Sequence, residues 1–369
     1  MNCPQIPLVP CEEFFARALG KFRKSRIPMV GAFEPTLRCN LRCKHCYCCF
    51  DPKKKELSPD EIGRIIDEVA AAGCIWLTLT GGEPLLRPDF LEIYTHAKKK
   101  GMLVSLFTNA TLITPEIADY FLEYPPHEIE ISLYGATKET YENVTGVAGS
   151  FERCMQGIRL LHERKLRFLL KTMVMTLNRH ELGAMNDFAN GLGVDFHFDP
   201  VLNPKIDGSR EPCDYRIDVS EAASLDVNDG ERLKAWKDYC TGFENFVPDD
   251  KLYVCGAGRE SFHIDPYGNL GVCVLSRSED FNLKNDSFRQ GWDEFMPKLL
   301  SPKRTKGYAC ERCDLQYLCT VCPSWSKLET QDIEKPVEYL CQLAHLRAEA
   351  LGIKKGGGRW EEKLMVSRK

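Results

Sequence analysis

Three cysteines, Cys39, Cys43 and Cys46, stand in a C-x3-C-x2-C spacing inside the stretch CNLRCKHCYCCF, residues 39–50. Three thiolates on one short loop can hold three irons of a 4Fe–4S cluster, a group that ordinarily takes four cysteines. The fourth iron is then left to a ligand from outside the chain. Zinc is the competing reading, although a structural zinc wants four closed ligands. A second loop, TGGEP, occupies residues 80–84. Its paired glycines, Gly81 and Gly82, let backbone approach a ligand closely, and Glu83 offers an acceptor for a bound amino group. Cys48 and Cys49 follow the triplet; they read as spare thiols, with roles as alternative ligands or, for Cys48, as a hydrogen-atom donor left open.

A second set of seven cysteines lies toward the C-terminus: Cys255, Cys273, the run C-x2-C-x5-C-x2-C formed by Cys310, Cys313, Cys319 and Cys322, and Cys341. The tight four could make a zinc site. Seven divide as four plus three, which suits two iron–sulfur clusters better than one zinc. The remaining thiols, Cys3, Cys11, Cys74, Cys154, Cys213 and Cys240, are scattered and read as small hydrophobes. Cys213 falls in a connecting loop, where a donor role is open to it.

Strands and helices must bring these loops together. Six apolar segments read as strands: 29–37, 74–80, 102–108, 128–134, 166–176 and 194–200. Helical segments separate them, the first opened by Ser58 as N-cap, Pro59 at the first helical position and Glu61 closing a capping box. Strands of this kind are buried on both faces, as in a parallel sheet. Six βα-type units make either an open doubly wound sheet or an incomplete barrel, and periodicity does not choose between them. In both, ligands sit at the C-terminal ends of strands. Cys39, Gly81, Asn109, Ser132 and Asp199 fall at or near such ends. Asp199 is a candidate base, with loop capping as the plainer alternative for it and for Asp207. After a connector with a helical patch around Trp236, SFHIDPYGNLGVCV reads as a β-hairpin, and a helix follows near VEYLCQLAHLRAEALG.

The chain has 369 residues and a formal net charge of −4. That balance gives no reason to expect nucleic acid or an anionic membrane surface. No apolar run approaches the ~18 residues a membrane helix needs, and the start lacks a signal-peptide pattern. The reading is a cytoplasmic protein, and clustered cysteines in a reducing compartment point to metal or redox work rather than disulfides.

The C-x3-C-x2-C loop after the first strand and the GGE motif after the second resemble the radical S-adenosylmethionine (SAM) superfamily. The C-terminal cysteine pattern resembles the SPASM extension of that superfamily. The resemblance implies an α/β fold: a partial (β/α)6 barrel with a smaller C-terminal cysteine-rich iron–sulfur domain. On this reading 1–28 is a lead-in, 29–200 the barrel core, 201–250 a connector, 251–352 the SPASM domain and 353–369 a tail. It implies three 4Fe–4S clusters. Cys39, Cys43 and Cys46 would hold the one that binds SAM. Cys310, Cys313, Cys319 and Cys341 would hold one auxiliary cluster, and Cys255, Cys273 and Cys322 the other, nearer the SAM site. His45 would lie beside the adenine, Gly81, Gly82 and Glu83 would meet the methionine part, and Asn109 and Ser132 would contact SAM from the ends of strands three and four. Three features depart from the pattern. Tyr134 stands where many relatives have aspartate, Thr145 stands about where they have an arginine, and GAGRES lacks the eighth cysteine of some relatives.

The implied activity is reductive cleavage of SAM to a 5′-deoxyadenosyl radical that abstracts hydrogen from a substrate. The substrate expected from the resemblance is a ribosomally made peptide or a protein side chain, with a cross-link, thioether, epimerisation or oxidation as outcome. A sulfatase-maturase-like oxidation of a protein Ser or Cys is the alternative within the class, weakened by Val274 in place of an acidic residue. A non-catalytic zinc scaffold or electron-transfer iron–sulfur protein is the alternative outside it. A flavodoxin- or ferredoxin-type electron donor is implied. Few residues precede the first strand, so a separate recognition protein delivering the substrate is a further expectation.

Overall fold

The computed structural model describes residues 25–241, 250–308, 310–311, 313–319 and 322–353. Cys3, Cys11, most of the lead-in and nearly all of the tail lie outside them. Six strands and their helices come first: β1 (Val30–Thr36), α1 (Pro59–Ala71), β2 (Trp76–Gly81), α2 (Phe90–Lys99), β3 (Leu103–Thr108), α3 (Pro115–Glu123), β4 (Glu128–Ser132), α4 (Lys138–Thr145), α5 (Ser150–Glu163), β5 (Phe168–Met173), α6 (Leu182–Leu192) and β6 (Phe196–Asp199). The six strands lie side by side in chain order, and each neighbouring pair is parallel.

Local chemistry accounts for the boundaries. The Ser58 side chain caps α1, and the Glu61 carboxylate accepts the Ser58 N–H at 2.7 Å. Ile62, Ile65, Ile66 and Val69 then form the buried stripe of that helix, at the spacing of one helical face. Helix α4 escaped the sequence reading because it is short and mostly polar; Thr137 caps its start and Gly146, at φ +67°, ends it.

The hairpin predicted near 261–274 forms as β7 (Ser261–Ile264) and β8 (Leu270–Gly271), antiparallel to each other. It does not stand apart. β7 adds to the barrel sheet, parallel to β1, giving the order β6-β5-β4-β3-β2-β1-β7-β8. Phe262, Leu270, Phe288 and Trp292 accordingly share one core with Leu79, Leu106 and Ile131. A smaller core joins Val174 and Ile217 to Ala222 on α7 (Val219–Val227) and to Leu340 and Leu343 on the C-terminal helix Glu338–Ala350. Among the described residues no helix is long and apolar enough to cross a membrane.

The strands are not uniformly apolar. In β4, Ile129 and Ile131 are fully buried, while Glu128, Glu130 and Ser132 point the other way and are only partly covered. This alternation gives the sheet an apolar face toward its helices and a mixed, ligand-accessible concave face.

Candidate active site

The GG turn fixes how β2 meets β1. Gly81 has φ +117°, and a Cβ there would press into the carbonyl oxygen of Thr36; one at Gly82 would press into the carbonyls of Arg38 and Leu37. With no side chain in the way, Gly82 N–H donates to Thr36 O at 2.9 Å and Glu83 N–H to Arg38 O at 2.8 Å. The turn is thereby stitched to the chain entering the cysteine loop.

That loop is held from two further sides. Asn109 Nδ2 donates to Asn40 Oδ1 at 2.9 Å and lies 3.9 Å from Cys39 Sγ. Arg42 N–H and Lys44 N–H donate to the carbonyls of Thr145 and Val144 at 2.8 and 3.0 Å. Thr145, about where many members of the resembled family have an arginine, is fully buried with its hydroxyl 2.8 Å from Ser150 Oγ. It supports the loop from behind and is not on the cavity wall.

Glu83 is placed beneath the cavity rather than on its wall. It is fully buried; Oε1 accepts the Thr108 hydroxyl and Oε2 the Asn109 N–H, both at 2.8 Å. Burial pushes its pKa up to about 7, against the pull of those hydrogen bonds.

A cavity of about 420 Å³ opens at the strand ends. Cys39, Cys43, His45, Cys46 and Cys48 line it from the loop, Gly81, Gly82, Asn109 and Ser132 from the ends of β2, β3 and β4, and Asp199 from β6. Ten residues singled out from the sequence therefore meet around one space. Cys213 lies on a short 3₁₀ turn, Glu211–Tyr215, and is not on its wall. Asp207 caps its own loop by accepting the Ser209 N–H at 2.8 Å, while Asp199 accepts the Val201 N–H at the same distance and still faces the cavity.

The sequence reading missed Glu130, Lys171 and His197. Lys171 lies opposite Ser132 in the β4–β5 register and opposite His197 in the β5–β6 register. Its ammonium donates to Glu130 Oε2 at 2.8 Å and stands 3.0 Å from the centre of the Phe107 ring. Burial lowers its pKa. Among the described residues it is the only lysine or arginine on the cavity wall. A charged residue interrupting an apolar strand, as in FLLKTM, was the available signal.

The residues fit a thiolate-bound cluster. Burial pushes the Cys39 thiol up to about 11, and burial together with the neighbouring Cys46 and Cys39 raises Cys43. Cys46 goes the other way, lowered to about 7 by a hydrogen bond with Cys48; a bound metal group would hold all three as thiolates by supplying positive charge. Beside them the His45 ring meets Tyr134 edge-on at 4.5 Å, and His45 Nδ1 is buried with no partner within the protein. Burial lowers the His45 pKa to about 4, so the ring stays neutral at pH 7, with a free polar edge beside the loop.

The second cysteine set falls into two neighbourhoods. Cys310, Cys313, Cys319 and Cys341 line a small cavity of about 40 Å³ with Arg304, Tyr308 and Cys322. Burial and then Cys310 and Cys313 push Cys341 up to about 12. Cys322, pushed by burial to about 11, responds instead to Cys273 and Cys255, and Cys273 responds to Cys255. Among the described residues no three His, Cys, Asp or Glu side chains converge as a single-ion site.

Comparison with known proteins agrees with this geometry. Residues 33–189 match the Radical SAM superfamily. The chain is 31% identical to the AdoMet-dependent heme synthase of Methanosarcina barkeri, over 85% of this chain and 96% of that protein. It is 29% identical to the mycofactocin maturase MftC of Mycobacterium ulcerans, over 72% of this chain and 74% of that one. Its fold is similar to that of Streptococcus suis SuiB bound to its precursor peptide SuiA, with a TM-score of 0.68 at 18% identity, over 93% of this chain and 83% of that chain. The cysteine-rich C-terminal region is consistent with a SPASM-type extension. The chain belongs to the radical SAM superfamily.

Proposed function

We propose that the protein cleaves SAM reductively at the Cys39–Cys43–Cys46 loop and uses it to abstract hydrogen from a substrate in the β3–β6 cavity. The observation that carries this is the meeting of the three thiols, Gly81, Gly82, Asn109 and Ser132 around one space at the strand ends. Cys39, Cys43 and Cys46 would hold a 4Fe–4S cluster with one open iron. When bound, that cluster with SAM supplies homolytic cleavage of the sulfonium bond. The chain aims and encloses. The paired glycines leave room for the methionine part, Asn109 and Ser132 offer polar contacts, and the neutral His45 presents its ring to the adenine. Glu83 fixes the backbone at Asn109 from below. Ser132, Lys171 and His197 form a polar row facing the substrate.

The two C-terminal neighbourhoods support two auxiliary 4Fe–4S clusters, Cys310, Cys313, Cys319 and Cys341 holding one and Cys255, Cys273 and Cys322 the other. Seven thiols that divide as four and three suit two clusters better than one zinc. A flavodoxin- or ferredoxin-type donor supplies electrons. The limits 29–200 and 251–352 separate the two cysteine sets along the chain, while β7 of the second stretch joins β1 of the first in one sheet.

Two substrate classes follow. A peptide or protein side chain, expected from the sequence, is supported by similarity to the mycofactocin maturase. A haem precursor is favoured by the longer, near end-to-end match to the heme synthase. Anaerobic reconstitution tests the whole reading: about twelve irons per chain and 5′-deoxyadenosine release with dithionite and SAM are expected, and both release and the N-terminal cluster are lost in Cys43→Ala. Stoichiometric zinc without sulfide overturns it. Mass analysis of a coexpressed peptide and of a supplied iron porphyrin separates the two substrate classes.

A further inference from the structure

Between the two iron–sulfur regions lies a buried ion pair that the site described above does not use. Glu34, on β1 and five residues before Cys39, is fully buried. Arg277, four residues past Cys273, reaches it with both terminal nitrogens: Nη1 donates to Oε2 at 2.7 Å and Nη2 to Oε1 at 3.0 Å. The third guanidinium donor, Nε, goes to the carbonyl of Val274, the residue next to Cys273, at 3.0 Å. His263 on β7 places Nε2 3.2 Å from Glu34 Oε2. On the other side, Gly81 faces the stem of Glu34, and the Gly81 carbonyl lies 3.5 Å from Cys48 Sγ. The carboxylate is thus on the side of the GG turn and the first cysteine loop, and the guanidinium on the side of the Cys273 loop.

Both ends are charged at neutral pH. Burial alone would raise Glu34, but His263 and Arg277 hold it down at about 2. A bidentate, water-excluded pair of this kind is a fixed dipole, and charge near an iron–sulfur cluster sets its reduction potential. Buried pairs are weak devices for stability alone, since an apolar pair of similar volume often serves as well.

We infer that the Glu34–Arg277 pair is a positioning and redox-tuning element set between the two regions. Its positive end raises the potential of a cluster held by Cys255, Cys273 and Cys322, and its negative end lowers that of the cluster held by Cys39, Cys43 and Cys46. The inference rests on the auxiliary-cluster reading above.

The test uses the full chain, anaerobically reconstituted, in potentiometric titrations followed by electron paramagnetic resonance. The signal that changes on adding SAM identifies the N-terminal cluster. In the double variant Glu34→Gln/Arg277→Met, which removes both halves of the pair, the iron content stays at the wild-type level and the gap between the two midpoint potentials narrows from both ends. In Arg277→Lys, which keeps the charge and gives up the fork, most of the gap persists. A double variant with all its iron and an unchanged gap overturns the inference, as does an Arg277→Lys variant whose gap closes completely, a result that stands even where the double variant does not fold. Wild-type protein with only about four irons per chain removes the auxiliary clusters and this inference together. Full iron with an unmoved gap removes this inference alone.

Discussion

Glu83 Oε2 accepts the backbone N–H of Asn109 at 2.8 Å, joining the residue after the paired glycines to the end of β3 beneath the cavity. Burial raises the Glu83 pKa from 4.5 to about 7. An acid whose pKa is higher in the folded chain binds its proton more tightly there. Its protonated form stabilises the fold fully below pH 4.5, and that contribution is lost as pH rises through about 7. Replacing it with an uncharged isostere removes this dependence. The difference in unfolding free energy between Glu83→Gln and wild type, measured by chemical denaturation without SAM, is expected to grow in favour of the variant from pH 4.5 to 8, by on the order of 3 kcal/mol in total. A difference that does not vary with pH would refute the buried, desolvated placement of this carboxylate.

The glycines separate into those that packing demands and those it does not. A Cβ at Gly82 meets two backbone carbonyls that no rotamer change can move aside. Gly82→Ala is expected to cost about 1–3 kcal/mol by overpacking and to abolish deoxyadenosine release, because the cysteine loop must shift with the turn. Gly191, within α6, has open space around the same point. Gly191→Ala is expected to stabilise by about 0.5–1 kcal/mol. Chemical denaturation of the two variants checks the contrast, and equal effects would refute it.

The six barrel strands and the placement of Cys39, Gly81, Asn109 and Ser132 at their C-terminal ends were legible because apolar runs and glycine-bearing turns are local signals. The addition of β7 to β1 was not. Ser261–Ile264 is four residues long and pairs with a strand more than two hundred residues earlier, and nothing in a short alternating hairpin names its sheet partner. The Glu83 placement was missed for a similar reason. A carboxylate in a ligand-binding motif reads as a ligand contact, whereas its bonds to Thr108 and Asn109 depend on how two loops distant in sequence meet. Lys171 and Glu130 were visible as charges within strands, but which face they take follows only from the register.

The partition of the C-terminal cysteines predicts distinct losses. Cys341→Ala is expected to remove one cluster and leave the cluster of Cys255, Cys273 and Cys322 intact; Cys273→Ala is expected to do the reverse. Each variant should lose about four irons per chain, and Mössbauer or paramagnetic resonance spectra should show different missing signals. Identical missing signals in the two variants would mean that the seven thiols serve one site.

The helix that carries Cys341, Glu338–Ala350, is held by a buried charge that is not on the wall of either cavity. Asp226 at the end of α7 is fully buried and accepts from Arg347 Nε and Nη2, both at 2.7 Å, and from Arg232 Nη2 at 2.5 Å. Arg347 also stacks on Trp236 at 4.5 Å and reaches the carbonyl of Leu318, next to Cys319, at 3.5 Å. One guanidinium therefore ties α7, the Gly230–Thr241 helix and the Cys319 loop to the Cys341 helix. Asp226→Asn leaves a buried arginine short of its countercharge, a loss that typically costs about 3–5 kcal/mol. It is expected to lower Tm and to release the cluster of Cys341 on mild chelation before the others. Neutralising both partners in Asp226→Leu/Arg347→Met should restore part of the stability, because the buried guanidinium is gone and the charge left without its partner, Arg232, is partly exposed to solvent. Cluster retention should recover less, because the link to the Leu318 carbonyl is still missing. Equal recovery of stability and cluster retention in the double variant would show that the ion pair serves the helix packing alone.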